Sequence, residues 1–383
     1  MNIIATAAGC RAWAEIDLSA VKENFAAARR LLPPEEKLLA VIKANGYGHG
    51  AVPVAKALLS LPADSRPDFF AVAAAEEGFD LRRGGIETPI LVLGHILPEL
   101  YEEAVREALR LPVDSVDEAA AIGAAARKIG KTALLHVAVD TGMTRIGFPA
   151  ETSSAEPIEA ITKLPGVRVE GIFTHLATAD ETDKSRAERQ VNSFFALTDA
   201  LEARGVKIPI RHVQNSASIA SMAPVGDMAR LGISLYGLVP SGEVPARNVG
   251  LRPAMALRAR VVRLRTVPAG VPVSYGGTFV TERETVVATV SAGYADGVPR
   301  AISGKGYVLL GGRRVPILGR VCMDQFMVDA TAVPGARVGD AVTIFGRDGG
   351  CEITADEVAA LAGTIGYEVV CGITERVPRL YLP

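Results

Sequence analysis

The chain is poor in the features that would place it quickly. Four cysteines in 383 residues (Cys10, Cys322, Cys351, Cys371) show no CxxC spacing and are too few for a disulfide framework. Free thiols in a reducing compartment are the expectation, and no metal site is expected. The formal net charge of −2 offers no basic field for nucleic acid and no acidic tail. No apolar run is long enough to span a membrane. The N-terminal MNIIATAAGC ends like a lipoprotein cleavage site but lacks the basic start and apolar stretch that export requires. A cytoplasmic protein is expected.

What the chain does have is alternation. Short apolar runs at 38–43, 69–73, 90–93, 112–115, 135–140, 169–175, 211–215 and 228–234 are separated by longer segments, among them alanine-rich amphipathic stretches at 51–60, 117–129 and 184–204. Eight such units in some 200 residues predict a (β/α)8 TIM-type barrel rather than a doubly wound sheet. A linker-like stretch at 240–253 leads to β-rich runs broken by glycine and proline, with a helix at 354–363. They predict a mostly antiparallel C-terminal β-domain. Domain bounds are set at 12–245 for the barrel and 246–383, plus residues 1–11, for the β-domain. Residues 11–16 read as a strand without a barrel slot that joins the second sheet.

The segment LAVIKANGYGHG (39–50) carries the first chemistry. An amine at the mouth of an apolar strand is desolvated, which lowers its pKa and makes it a nucleophile toward carbonyls. Gly46, Gly48 and Gly50 permit a turn whose N–H groups, with the Tyr47 hydroxyl, face an anion such as a phosphate. Lys43 therefore suggests a Schiff-base lysine beside a cofactor phosphate. GYGHGA also satisfies a dinucleotide-binding pattern, with Asp64 about 20 residues on. The remaining strand ends bear on that choice, because barrel chemistry sits at the C-terminal ends of strands. Asp140 opens DTGMTRIG with Arg145, His175 ends the sixth strand, Asn215 and Ser216 follow the seventh, and Arg230 lies in the eighth before Gly232 and Ile233.

With AWAEIDLSAVKEN (12–24), VIKANGYGHG (41–50), VDTGMTRIGF (139–148), GIFTHLATAD (171–180), NSAS (215–218), RLGISLYGL (230–238), VSYGGTF (273–279), SAGYADG (291–297), GRVCMDQ (319–325) and RVPR (376–379), the chain resembles the alanine racemases over essentially its whole length. Nothing else supports the dinucleotide reading. The resemblance implies pyridoxal 5'-phosphate (PLP) held as a Schiff base by Lys43. Tyr47, Ser216 and the N–H groups of Gly232 and Ile233 would hold its phosphate, Arg230 would face its pyridine nitrogen, and His175 would hydrogen-bond Arg230. An arginine does not give up its proton, so the ring remains a weak electron sink, which disfavours transamination and decarboxylation. The resemblance further implies a two-base racemisation of alanine by Lys43 and a partner subunit's Tyr275, in a homodimer with shared sites. Arg145 and the backbone of Met323 would bind the carboxylate, and Tyr294, Arg300, Arg320, Asp324 and Ile373 would form an entryway. A racemase for serine or a broader set of amino acids is the alternative; a PLP carrier or a decarboxylase fits less well.

Two positions depart from the family. Many members place a carbamylated lysine where this chain has Ala138, so Arg145 lacks that partner and an anion such as chloride is expected to take its place. Some members have a phosphate-binding tyrosine where this chain has Glu375, a carboxylate expected to turn away toward Arg376 or Arg379. Glu375→Tyr is expected to tighten PLP retention in equilibrium dialysis; unchanged affinity would show that the position makes no phosphate contact.

Overall fold

A computed structural model describes residues 7, 9–243 and 250–383. Its contacts fall into two compact units: Val21–Gly46 with Ala51–Leu251, and the residues up to Ala20 with Tyr47–Gly50 and Arg252–Pro383. The expected boundary at 245/246 lies outside the described residues, as do residues 1–6 and 8 of the expected N-terminal addition to the β-domain.

Among the described residues of the first unit, eight parallel strands run in sequence around the sheet: β1 (Lys37–Val41), β2 (Phe69–Val72), β3 (Ile90–Val92), β4 (Leu109–Val113), β5 (Ala133–Asp140), β6 (Val167–Phe173), β7 (Ile210–His212) and β8 (Met228–Leu231), with the two-residue Phe148–Pro149 pairing beside β5. The sheet runs β8-β1-β2-β3-β4-β5-β6-β7. Hydrogen bonds from Asp227 N to Arg211 O (2.7 Å) and Arg230 N to Gln214 O (3.1 Å) bring β8 back to β7. Strands such as FFAV and ILV are buried at every residue, as expected for strands covered on both faces. The helices between them are amphipathic. In Val116–Lys128 the Ser115 hydroxyl accepts the Glu118 N–H at the N-terminus, with Asp117 and Glu118 in the first turn and Arg127 and Lys128 in the last, matching the helix dipole.

The fourth strand lies earlier in the chain than expected. It starts at Leu109 and ends at Val113, rather than occupying 112–115. Proline usually marks a strand boundary, but Pro112 sits inside β4 opposite His136.

The second unit is a nine-stranded, mostly antiparallel sheet in the order 351–353, 341–348, 307–310, 313–318, 326–329, 285–290, 255–267, 12–17, 379–382. A further pairing of Ala341–Asp348 with Met255–Val267 closes six of these strands into a ring. The long strand can serve several neighbours because its register shifts near Leu257 and again near Val261, where its buried/half-exposed alternation also breaks. Ala12–Asp17 pairs antiparallel with it and parallel with Arg379–Leu382. These residues therefore belong to the second sheet, not to a barrel beginning at residue 12.

A buried acid precedes β1. Glu36 is 4 % exposed, and burial pushes its carboxyl up to about 7 although Arg29 opposes the shift. A pKa above the unfolded value means that stability is fully present below about 4.5 and is lost as pH rises through 7. Glu36→Gln should melt higher than wild type at pH 8, with the difference vanishing by pH 4 in paired thermal scans.

Candidate active site

Lys43 stands two residues beyond the end of β1 and is half-buried. The chain then turns left-handed for four successive residues, Ala44, Asn45, Gly46 and Tyr47 (φ 51°, 51°, 65° and 50°). Glycine adopts this freely and asparagine tolerates it, whereas Ala44 and Tyr47 each cost roughly 1–2 kcal/mol. The turn is held by specific bonds. Gly46 N reaches Ile42 O (2.8 Å), and the Asn45 side-chain oxygen accepts from Ala51 N (2.9 Å). Gly48 and Gly50 continue with positive φ, as the sequence suggested.

Tyr47–Gly50 packs within the second unit. Arg379 Nε donates to Gly48 O (3.1 Å), while its Nη atoms donate to the carbonyls of Thr374, Val377 and Ile373. A Cβ at Gly48 would lie 2.3 Å from Val370 O, and one at Gly50 would lie 2.1 Å from the Tyr381 hydroxyl, so both close approaches require glycine.

At the barrel's strand ends Arg230 is 3 % exposed and densely bonded. It donates through Nη2 to Thr174 O (2.6 Å) and Val213 O (3.0 Å), and through Nη1 to His212 O (2.8 Å) and His212 Nδ1 (2.9 Å). Its contact with His175 Nδ1 is longer, 3.4 Å. His175 is the expected partner of Arg230, but His212 and three carbonyls hold it more closely. The signal that was available is a histidine inside the apolar strand run RHVQN, and another, His136, inside LHVAVD. Burial, with Arg145, pushes Arg230 down to about 9, which leaves it a cation near neutral pH.

His175 marks the field of the site. Burial, then the charges of Arg230, Arg145 and Lys43, push its pKa down to about 3. Three cations act on one neutral imidazole, a field that suits an anionic ligand. Arg145 lies in the loop after β5, is exposed, and pairs with no carboxylate among the described residues. A small cavity beside it is lined by Ala138, Asp140, Met143, Phe173, Thr174 and His175. Asp140 shapes that loop: its Oδ1 accepts the N–H groups of Gly142, Met143 and Thr144 at 2.9, 2.9 and 3.0 Å. Burial raises its pKa, but the three backbone bonds outweigh that and lower it. Asn215 is likewise structural, accepting Ser218 N (3.0 Å) at the start of Ser216–Ser221.

Ser216 and Gly232 meet across β7 and β8. Gly232 N donates to Ser216 Oγ (2.8 Å), and Ile233 follows in a 3-10 turn, 1 % exposed. The Ser216 hydroxyl and the Ile233 N–H, with a Gly232 N–H that here bonds Ser216, are neutral groups after strands seven and eight that suit a phosphate monoester, and a half-buried lysine in the same unit suits an aldehyde. The residues therefore fit PLP.

The remaining expected site residues lie in the second unit. Tyr275 is 70 % exposed, on a loop fixed by the Ser274 hydroxyl donating to Arg320 O (2.6 Å). Met323 is also exposed, and Tyr294 N donates to Cys322 O (3.0 Å). Arg300 opens a 3-10 turn, while Ile373 is buried. Glu375 is exposed, but neither nearby arginine turns to it. Arg376 pairs with Asp296 (3.1 Å) and Asp324 (2.7 Å), and Arg379 is committed to carbonyls. Buried Asp296 also takes Arg11 and accepts Gly293 N (2.9 Å), so two arginines share its charge.

A (β/α)8 barrel with a lysine after its first strand, a cationic field at its strand ends and an antiparallel β-domain in the same chain defines a two-domain barrel enzyme built around an anionic ligand. Residues 16–240 match the alanine racemase N-terminal domain, and residues 254–381 match the C-terminal domain. The chain belongs to the alanine racemase family, which are PLP-using isomerases. It is 46 % identical to an alanine racemase of Desulfosudis oleivorans (97 % of this chain, 96 % of that one) and 44 % identical to one of Methanococcus maripaludis (97 % and 98 %). Among solved structures, alanine racemase of Clostridium difficile 630 matches with TM-score 0.91 at 40 % identity, covering 97 % of this chain and 96 % of that one. The Bacillus anthracis alanine racemase with bound L-Ala-P matches with TM-score 0.89 at 37 % identity (97 % and 95 %).

The cavity beside Arg145 gives the halide expectation a location. Crystals soaked in bromide should show an anomalous peak between Arg145 and Ala138; a site holding only water would rule the anion out.

Proposed function

We propose that this protein interconverts L- and D-alanine using PLP bound at Lys43, as a cytoplasmic homodimer. The observation that carries this reading is Lys43 just past the first strand, with Arg230 and Arg145 beside His175 in the same unit of a chain that belongs to the alanine racemase family. When bound, PLP acidifies the α-hydrogen of an amino acid joined to it. The protein's part is to hold groups in place and to move one proton.

Ser216 Oγ, the N–H groups of Gly232 and Ile233, and Tyr47 would hold the phosphate, with Arg230 at the pyridine nitrogen. Neutral donors bind a dianion without adding charge near the lysine. Arg145 and the Met323 backbone would take the substrate carboxylate. Inversion needs a base on each face of the α-carbon, because one base returns the proton to the face it left. Lys43 would serve one face and Tyr275 of the partner subunit the other. The exposure of Tyr275, Tyr294 and Met323 in a single chain supports a covered position for that surface in a dimer. Tyr294, Arg300, Arg320, Asp324 and Ile373 would line the approach. Sterics alone separate alanine from serine only weakly, so serine is the second substrate to examine.

Incubation with PLP and each L-amino acid in D2O tests the reading: alanine should racemise with α-deuteration and without CO2 release. Lys43→Ala and Tyr275→Phe should each be nearly inactive alone. Unfolded together and refolded, they should regain about a quarter of wild-type activity, since half the dimers are mixed and each mixed dimer has one intact site. No recovery would exclude a shared site.

A further inference from the structure

The interior of a (β/α)8 barrel is normally filled by branched aliphatic side chains. Here it carries a line of polar groups that the racemase mechanism does not use. His212 Nε2 lies 2.8 Å from His136 Nδ1, and both side chains are fully buried. His136 Nε2 lies 3.4 Å from Glu170 Oε2, and the same oxygen accepts Arg110 Nε at 3.0 Å. Arg168 adds a more distant charge, 4.0 Å from the other carboxylate oxygen. With Arg230 on His212 Nδ1, the line runs Arg230–His212–His136–Glu170–Arg110.

The two ends fix the protons between them. A guanidinium only donates, so His212 Nδ1 must accept and its proton sits on Nε2. That proton makes His136 Nδ1 an acceptor, placing the His136 proton on Nε2, where an ionised carboxylate receives it. Every bond then points one way, from guanidinium to carboxylate, and both imidazoles are neutral. Burial acts in the same sense, lowering the pKa of both histidines. The backbone makes room for the line. A Cβ on Gly171 would lie 2.4 Å from His136 Nδ1, although Gly171 is not a positive-φ glycine. Phe173 stacks on His212 at 5.0 Å and 18°, and His136 meets His212 edge-on at 5.0 Å.

Glu170 lies at the middle of β6 and Arg110 near the start of β4, whereas Arg230 is held by residues at the C-terminal ends of β6 and β7. We propose that Glu170, through the fixed tautomers of His136 and His212, is a positioning residue for Arg230, so that a carboxylate partway down the barrel orients and balances the charge facing the cofactor. The inference rests on the racemase reading for its catalytic consequence, but the direction of the hydrogen bonds does not depend on it.

The test is 15N NMR of histidine-labelled, PLP-loaded protein, with resonances assigned through His136→Gln and His212→Gln. In the wild type both histidines should be neutral Nε2–H tautomers. Glu170→Gln should shift the His212 resonances two side chains away and admit the other tautomer of His136. The same variant should lose kcat by about tenfold, the scale on which partners behind a directly acting group commonly count, with KM little changed. A wild-type Nδ1–H tautomer or imidazolium at either position would overturn the relay, whether or not the variant folds. So would a Glu170→Gln protein whose His212 resonances and kcat match wild type. Failure of the racemase reading would appear separately, as a wild-type protein that racemises no amino acid.

Discussion

The site depends on keeping one guanidinium charged in the interior of a barrel. Removing a charge from water is costly unless hydrogen bonds replace the lost solvation. Arg230 meets that condition with carbonyls from Thr174, His212 and Val213 and an imidazole nitrogen from His212. Those acceptors come from the ends of β6 and β7, so the course of two strands beyond their last ladder bonds is tied to one side chain. The cation also sets its neighbours: with burial it holds His175 and His212 neutral. A neutral His175 among Arg230, Arg145 and Lys43 leaves the net positive field that an anionic cofactor and a carboxylate substrate call for.

The second constraint is local strain beside Lys43. Four successive left-handed residues, only one of them glycine, persist only where surrounding contacts overdetermine them. Asn45 ties the turn to Ala51, and Arg379, Val370 and Tyr381 close around Gly48 and Gly50. The turn fixes the course of the backbone immediately after Lys43.

Much of this was legible beforehand. Eight short apolar runs announced the barrel because strands buried on both faces need no alternation, and the glycines of 46–50 announced a positive-φ turn because little else tolerates one. Boundaries were less legible. Pro112 reads as the start of a strand, yet β4 had already begun at Leu109. The reach of Arg376 was also hidden: it pairs with buried Asp296, 80 positions away in sequence, and with Asp324 rather than with the adjacent Glu375. Local spacing reports which charges are neighbours along the chain, whereas desolvation decides which of them need a partner.

The sequence by itself determined the fold class, the lysine at the first strand end and the family, since periodicity, glycine placement and contiguous motifs are all properties of the chain read in order. Only the tertiary structure decided what surrounds Arg230. His136, Glu170 and His212 sit on three different strands and carry no shared motif. They meet because strand register in a closed barrel brings inward-facing side chains from distant segments to one axis. Which histidine nitrogen accepts and which donates follows from that meeting, and no pattern along the chain could have specified it.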